Sequence, residues 1–337
     1  MMRLKRRFKS SIETRHNHFL CKKEKFLMYR ILATLLVLFF TNCYQNTFAQ
    51  TNDSTGVFEE SSGETTSEEE STAVKDIFES TRIINGHSTE TLRKGVLEFR
   101  VEHRFGDIAG SDGGVQNMFG FDNSSDIRLA FEYGITNDLM VGFGRSKGTG
   151  MPYRSLLDGF VKYKILEQHK KGCPIALTGI ATTTYTYMKA SEDLSQVSSF
   201  PEWQHRFAYV AQLAVARKFG ERIALALLPT MVHRNYVGQN DVNTLFALGG
   251  ALRFPITRKV GILVEYYNEF QDDDVRQENT NSMGIAVEWI TFGHNFTINL
   301  TNSKGFGETQ FIPYTFEQWS KGQFRLGFCV GRKFERE

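Results

Sequence analysis

Proline is scarce in this chain, 6 in 337 residues, and cysteine is scarcer still at 4. So few cysteines exclude a disulfide-stapled scaffold. So few prolines leave long stretches free to join a hydrogen-bonded ladder, which a missing N–H would interrupt. A surplus of one charge is lacking as well: 40 Lys and Arg stand against 38 Asp and Glu, a net +2, without the basic excess of a nucleic-acid binder. Long apolar runs are absent too. The mean hydropathy is −0.33, and no run reaches the roughly 18 apolar residues that a membrane-crossing helix needs. What is plentiful is Phe, 29 of the 44 aromatic residues, and Gly, also 29; strands and tight turns use both.

The near-zero net charge conceals three zones. Residues 1–49 carry 10 basic and 2 acidic groups, 50–92 carry 2 and 10, and 93–337 carry 28 and 26. In the first zone, Ile31–Phe40 (ILATLLVLFF) is too short to span a bilayer as a helix, and Thr47-Phe48-Ala49 closes it with a small residue. This is the pattern of a secretory signal peptide over 1–49, cleaved after Ala49. Met28-Tyr29-Arg30 is a natural start for it. A rival reading makes Cys43 a lipidated residue, which bulky Phe40 and Asn42 fit poorly. Export leaves Cys173 and Cys329, which could form one bridge in an oxidising compartment, although two thiols is the plainer reading. The second zone, rich in Ser, Thr and Glu, reads as a disordered acidic tether over 50–80. Residues 81–95 read as a periplasmic lead-in segment, with a turn signal at Asn85-Gly86.

From Val96 the hydropathy alternates with a period of two, the mark of strands. In Val96–Phe105, Leu97, Phe99 and Val101 share one face, and Glu98, Arg100, Glu102 and Arg104 the other. Similar segments recur near 126–135, 139–146, 157–166, 175–188, 206–219, 222–235, 243–255, 260–270, 282–292, 295–302 and 323–334. Their connections alternate between tight turns, such as Ile135–Leu139, Phe219–Ile223 and Ile256–Val260, and long segments. The expected fold is therefore all-β: a closed antiparallel transmembrane β-barrel of about 12 strands over 96–334, with short periplasmic turns and longer extracellular loops. A soluble β-sandwich also alternates. Aromatic residues at strand ends, a small and polar opposing face, and the regular alternation of connection length all favour the membrane barrel.

Several runs carry a family resemblance: TRIINGHSTETLRKGVLEFRVEHRFGDI, DIRLAFEYGITNDLMVGFGRSK, LDGFVKYKIL, HNFTINLTNSKGFGETQFIP and FRLGFCVGRKF. Over roughly Thr81 to Phe334 the chain resembles the uncharacterised membrane-bound beta-barrel domain family of exported bacterial proteins. The resemblance implies an outer-membrane barrel and supplies no activity. Glu335-Arg336-Glu337 extends past the terminal aromatic, Phe334, that barrel-assembly recognition favours.

The chemistry offered by this pattern lies on the lumen face. Glu98, Arg100, Glu102, Arg104, Asp126, Arg128, Glu132, Lys162, Lys164 and Arg325 form the expected charge ladder, with Asp158, Arg206, Arg253, Glu265 and Glu288 also inward. Such a ladder either neutralises itself and fills the lumen or steers a solute through it. No catalytic, cofactor or metal site emerges. The six remaining His (His87, His103, His169, His205, His233, His294) show no ligand spacing. His87 and Ser88 are adjacent, so on an extended chain they point opposite ways. Gly142–Gly148 lacks the ending of a phosphate-binding loop, and Asp272-Asp273-Asp274 lacks glycine-spaced calcium ligands. Asn295-Phe296-Thr297 matches a glycosylation sequon on an inward-facing strand. The function expected is a passive channel or structural membrane protein, not an enzyme. The alternatives are a scaffold that binds a partner through the acidic tether or outer loops, and an outer-membrane lipid hydrolase. Expected partners are outer-membrane lipid, the barrel-assembly machinery during insertion, and a small polar solute, with no nucleic acid.

Overall fold

A period of two puts bulky apolar side chains on one sheet face and polar or small ones on the other. The computed structural model, which describes residues 73–74, 76–123, 126–148, 154–170, 172–270 and 279–335, turns that alternation into twelve strands. They are β1 (Leu97–Asp107), β2 (Asp126–Gly134), β3 (Leu139–Lys147), β4 (Leu156–Leu166), β5 (Ala176–Thr186), β6 (Phe207–Phe219), β7 (Ile223–Arg234), β8 (Thr244–Pro255), β9 (Val260–Phe270), β10 (Met283–Thr291), β11 (His294–Thr301) and β12 (Arg325–Phe334). Each pairs antiparallel with its sequence neighbours, and β12 returns to β1, with Phe334 opposite Leu97, to close the barrel. The signal peptide 1–49, most of the 50–80 tether and Asp272–Asp274 lie outside the described residues.

Two tight turns share one chemistry. In Ile135–Leu139 the Thr136 hydroxyl accepts the N–H groups of Asp138 and Leu139, and in Ile256–Val260 Thr257 does the same for Lys259 and Val260. The side-chain oxygen replaces a backbone partner at the turn. Even strand number places both ends of the barrel on the side of these short turns. On the opposite side run the longer connections 108–125, 187–206 and 302–324.

The outer surface carries the bulky residues. Leu129, Phe131, Tyr133, Phe143, Val161, Tyr163, Tyr209, Leu227, Phe246, Val287, Trp289 and Ile298 are all exposed. An exposed apolar band on a closed barrel suits a lipid surround. No helix among the described residues is long and apolar enough to cross a membrane. The inner wall has two halves of different character. On β1, β2 and β4 it is charged and on β5 rich in Thr, whereas from β6 to β9 it is largely Ala, Val and Leu, with Ala214, Leu228, Val232, Leu245 and Leu263 buried in one apolar cluster. That cluster also takes in Ile77, Phe78, Ile83, Ile84, Phe311 and Ile312. None of these six belongs to a barrel strand, so chain from outside the wall occupies the lumen.

Candidate functional site: the barrel lumen

The charged half of the wall is built by register. On β1 and β2, Glu102 lies directly opposite Arg128, and Glu98 directly opposite Glu132. Arg128 reaches Glu102 at 2.6 Å and Asp158 of β4 at 2.6 Å. The second contact spans β3, and Gly144 makes it possible: a Cβ there would sit 2.6 Å from the Arg128 guanidinium and 2.7 Å from the Asp158 carboxylate. Glu98 and Glu132 would repel as a like-charge pair. Arg100 lies between them, 2.7 Å from Glu98 and 3.6 Å from Glu132, and its Nη1 also donates to Cys329 Sγ at 3.3 Å. All these groups except Cys329 are buried. Charges this far from water are costly unless they are paired or well hydrogen-bonded.

The remaining members of the expected ladder divide. Asp126 sits 4.0 Å from Arg325, which also meets Glu317 at 3.3 Å. Arg104 leaves the wall: it donates to the Ser303 carbonyl at 3.0 Å, and also to the Gly305 carbonyl and the Asn85 side chain. Lys162 donates to the Thr81 carbonyl at 2.9 Å. Lys164 stands apart at the short-turn rim, paired with Glu167 at 2.8 Å. Arg206 donates to the Thr186 and Met188 carbonyls beside the long loops. On the other side of the lumen Arg253 meets Glu79 at 3.0 Å and also pairs with Glu288.

Residues 76–92, expected as the end of a tether and a periplasmic lead-in, instead enter the lumen. Ala73 and Val74 bond to His169 and Gln168 at the short-turn rim, the chain rises to Ile84, and it descends to β1. Arg82 and His87 bridge antiparallel around the Ile83–Gly86 turn, so the unit is a short hairpin. Its tip is held by one carboxylate. Glu265 of β9 accepts the N–H groups of Ile84, Asn85 and Gly86 at 3.2, 3.0 and 3.1 Å. Gly86 is required there, since a Cβ would lie 2.0 Å from the Tyr267 hydroxyl. Lower down, Thr81 donates to Glu132 at 2.6 Å, Arg100 donates to the Ser80 and Thr81 hydroxyls, and Thr178 donates to the Thr89 carbonyl. The physical reason is compositional: Ile77, Phe78, Ile83 and Ile84 match the apolar half of the wall, while the neutral polar residues between them satisfy the charged half.

The β11–β12 connection fills the lumen from the long-loop side. Its single helical turn, α1 (Glu308–Phe311), is buried throughout, as are Ser303, Phe306, Ile312 and Thr315. Phe311 packs edge-on against Tyr267 with ring centroids 4.9 Å apart. Among the described residues neither carboxyl oxygen of Glu308 meets a hydrogen-bond donor of another residue. Glu317, at the outer end of this insert, bonds to Lys304 at 2.6 Å and Arg325 at 3.3 Å. Burial pushes its carboxyl up, but those two cations outweigh it and hold the pKa below the usual value of 4.5.

The weaker sequence motifs have structural roles here. His87 Nε2 faces the Arg82 guanidinium at 3.3 Å, and the Ser88 hydroxyl donates to the Ser80 carbonyl at 2.5 Å, so the two do not meet as base and nucleophile. Gly142–Lys147 lies within β3 and Asn295 is buried on β11. Among the described residues no group of His, Cys, Asp and Glu is placed to hold a metal ion. Sequence reading missed both inserts. The signals were present as the apolar pairs Ile77-Phe78 and Ile83-Ile84 in a polar stretch, and as FGETQFIPYTF in a connection where solvated residues are expected.

Comparison with solved structures returns low-identity barrels. The KdgM porin is 9% identical, covering 71% of this chain and 99% of that one, with a TM-score of 0.43. The NanC porin is 10% identical, covering 72% and 100%, also with a TM-score of 0.43. The outer membrane protein Omp33 of Acinetobacter baumannii is 8% identical, covering 71% and 97%, with a TM-score of 0.38. No curated protein matches the chain. A family model described as "Membrane bound beta barrel domain (DUF5777)" matches residues 78–334, so hairpin and barrel fall within one family unit. With its apolar outer band and closed twelve-strand sheet, the chain belongs to that family of membrane-bound β-barrels.

Proposed function

We propose that this protein is a polar channel kept shut at rest by its own N-terminal hairpin. The observation that carries the reading is how the hairpin is attached. Among the described residues, no backbone–backbone hydrogen bond joins 76–92 to a barrel strand. The seat consists of side chain contacts, chiefly Glu265, Glu132, Arg100 and Lys162, each reversible without unzipping a strand. Withdrawal toward the short-turn side, where Ala73 and Val74 lie, uncovers the ladder of Glu98, Arg100, Glu102, Arg128 and Glu132. Both signs are mixed along that wall, so the solute would be small and polar, with weak preference for charge. Outer-membrane lipid surrounds the barrel in this reading, and the assembly machinery inserts it through the β12 end. His87 and Ser88 are each engaged elsewhere, so they do not form a base and nucleophile pair.

A second reading, a purely structural barrel, is favoured by the insert around α1, which fills the other end. Planar-bilayer recording separates the two. The full chain is expected to be silent, and a variant lacking 76–92 with 305–312 replaced by a Gly-Ser linker is expected to conduct. A variant that keeps the heat-dependent gel mobility of a folded barrel, yet stays silent, would leave the structural reading standing.

A further inference from the structure

The outer wall carries a groove that the channel reading does not use. It has a volume of about 580 Å³ and lies across β6 to β9, within the range of small-molecule sites. Register explains it. Two neighbouring rows face outward there: Arg217, Leu225, Leu252 and Val264 in one, and Val215, Leu227, Gly250 and Tyr266 in the other. Every position but one carries a bulky side chain. Gly250 lacks it, and a Cβ added there would meet no heavy atom within 4 Å, so the floor of the groove is open space. The missing side chain is therefore not a packing requirement of the barrel.

At one end of the groove is a charge. Arg217 is exposed on the outward face of β6, two residues from the strand's end at the Phe219–Ile223 turn, with its guanidinium 4.9 Å over the Phe219 ring. An arginine on a lipid-facing wall is costly unless it reaches the headgroup level. There it faces the phosphates of the leaflet on the short-turn side, and arginine suits a phosphate geometrically as well as electrostatically.

We propose that this groove is a phospholipid-binding site, with an acyl chain over Gly250 and the headgroup phosphate at Arg217. The inference rests on the barrel lying in a membrane and is independent of whether the lumen conducts. Gly250→Leu tests it cleanly, because the added side chain enters open space and leaves the fold intact. The full chain is extracted from vesicles of phosphatidylethanolamine, phosphatidylglycerol and diacylglycerol, exchanged through detergent, and its retained lipid counted by native mass spectrometry. The wild-type barrel is expected to retain phospholipid. The leucine keeps at least two CH₂ groups of the acyl chain from their apolar contacts, so Gly250→Leu is expected to lower retention about tenfold or more. Arg217→Gln is expected to abolish the preference for phospholipid over diacylglycerol. Phe143→Leu, on the far outer wall, is expected to change neither. Folded wild-type protein without retained lipid, or equal retention in Gly250→Leu, would overturn the proposal.

Discussion

Arg128 shows what a single buried charge does in this barrel. It is 1% exposed and pairs with two carboxylates on two different strands. Removing it strands both in the interior, and breaking such a pair costs about 3–5 kcal/mol. Arg128→Met is therefore expected to destabilise the refolded barrel by about that amount in urea titrations in vesicles. Adding Glu102→Gln and Asp158→Asn should recover much of the loss, because no unpaired charge then remains. That Arg128 faces inward was legible from alternation, and so was its neighbour Glu102. Its contact with Asp158 was not. That pair depends on Gly144 of the intervening strand having no side chain, and only the register brings the three together.

At the scale of elements, strands and hairpin differ in how their sequence announces them. Twelve strands were readable to within about two residues because successive side chains turn alternately to the outside, where they are bulky and apolar, and to the lumen. The Asn85-Gly86 turn was readable as well, but its surroundings were not. A turn signal says that the chain reverses, and nothing in it tells whether water or protein surrounds the tip. The tip's stability is decided by Glu265, a group roughly 180 residues away in sequence. Glu265→Ala removes the acceptor of three N–H groups, and hydrogen bonds to a charged group contribute about 1.5–3 kcal/mol each. A net loss of at least about 2 kcal/mol is expected, or some 30-fold in the amide protection of Ile84, Asn85 and Gly86. Hydrogen exchange read by mass spectrometry on that peptide checks it, and unchanged protection would mean that packing alone seats the hairpin.

At the scale of the whole barrel, the two ends are closed by chain from opposite sides, and the two closures answer to different conditions. The insert containing α1 ends at Glu317, whose folded-state pKa is below 4.5. A carboxyl depressed in the folded state contributes stability that is fully present above its unfolded value and is lost as pH falls through the folded value. The insert is thus expected to loosen below about pH 4.5, by at most ~1.4 kcal/mol per pH unit. Faster exchange of 308–315 in acid would report it, and Lys304→Met should flatten the dependence.

By itself the sequence determined the strands, their even number, the side on which both ends lie, and which face meets lipid. Those properties follow from local period and turn chemistry, which each segment carries within itself. The tertiary structure alone decided that the lumen is filled. Filling depends on the match between two inserts and the two halves of an inner wall, and that match exists only once distant strands have closed into register. The small net charge of +2 belongs to the first kind of property. How the buried charges pair across and between strands belongs to the second.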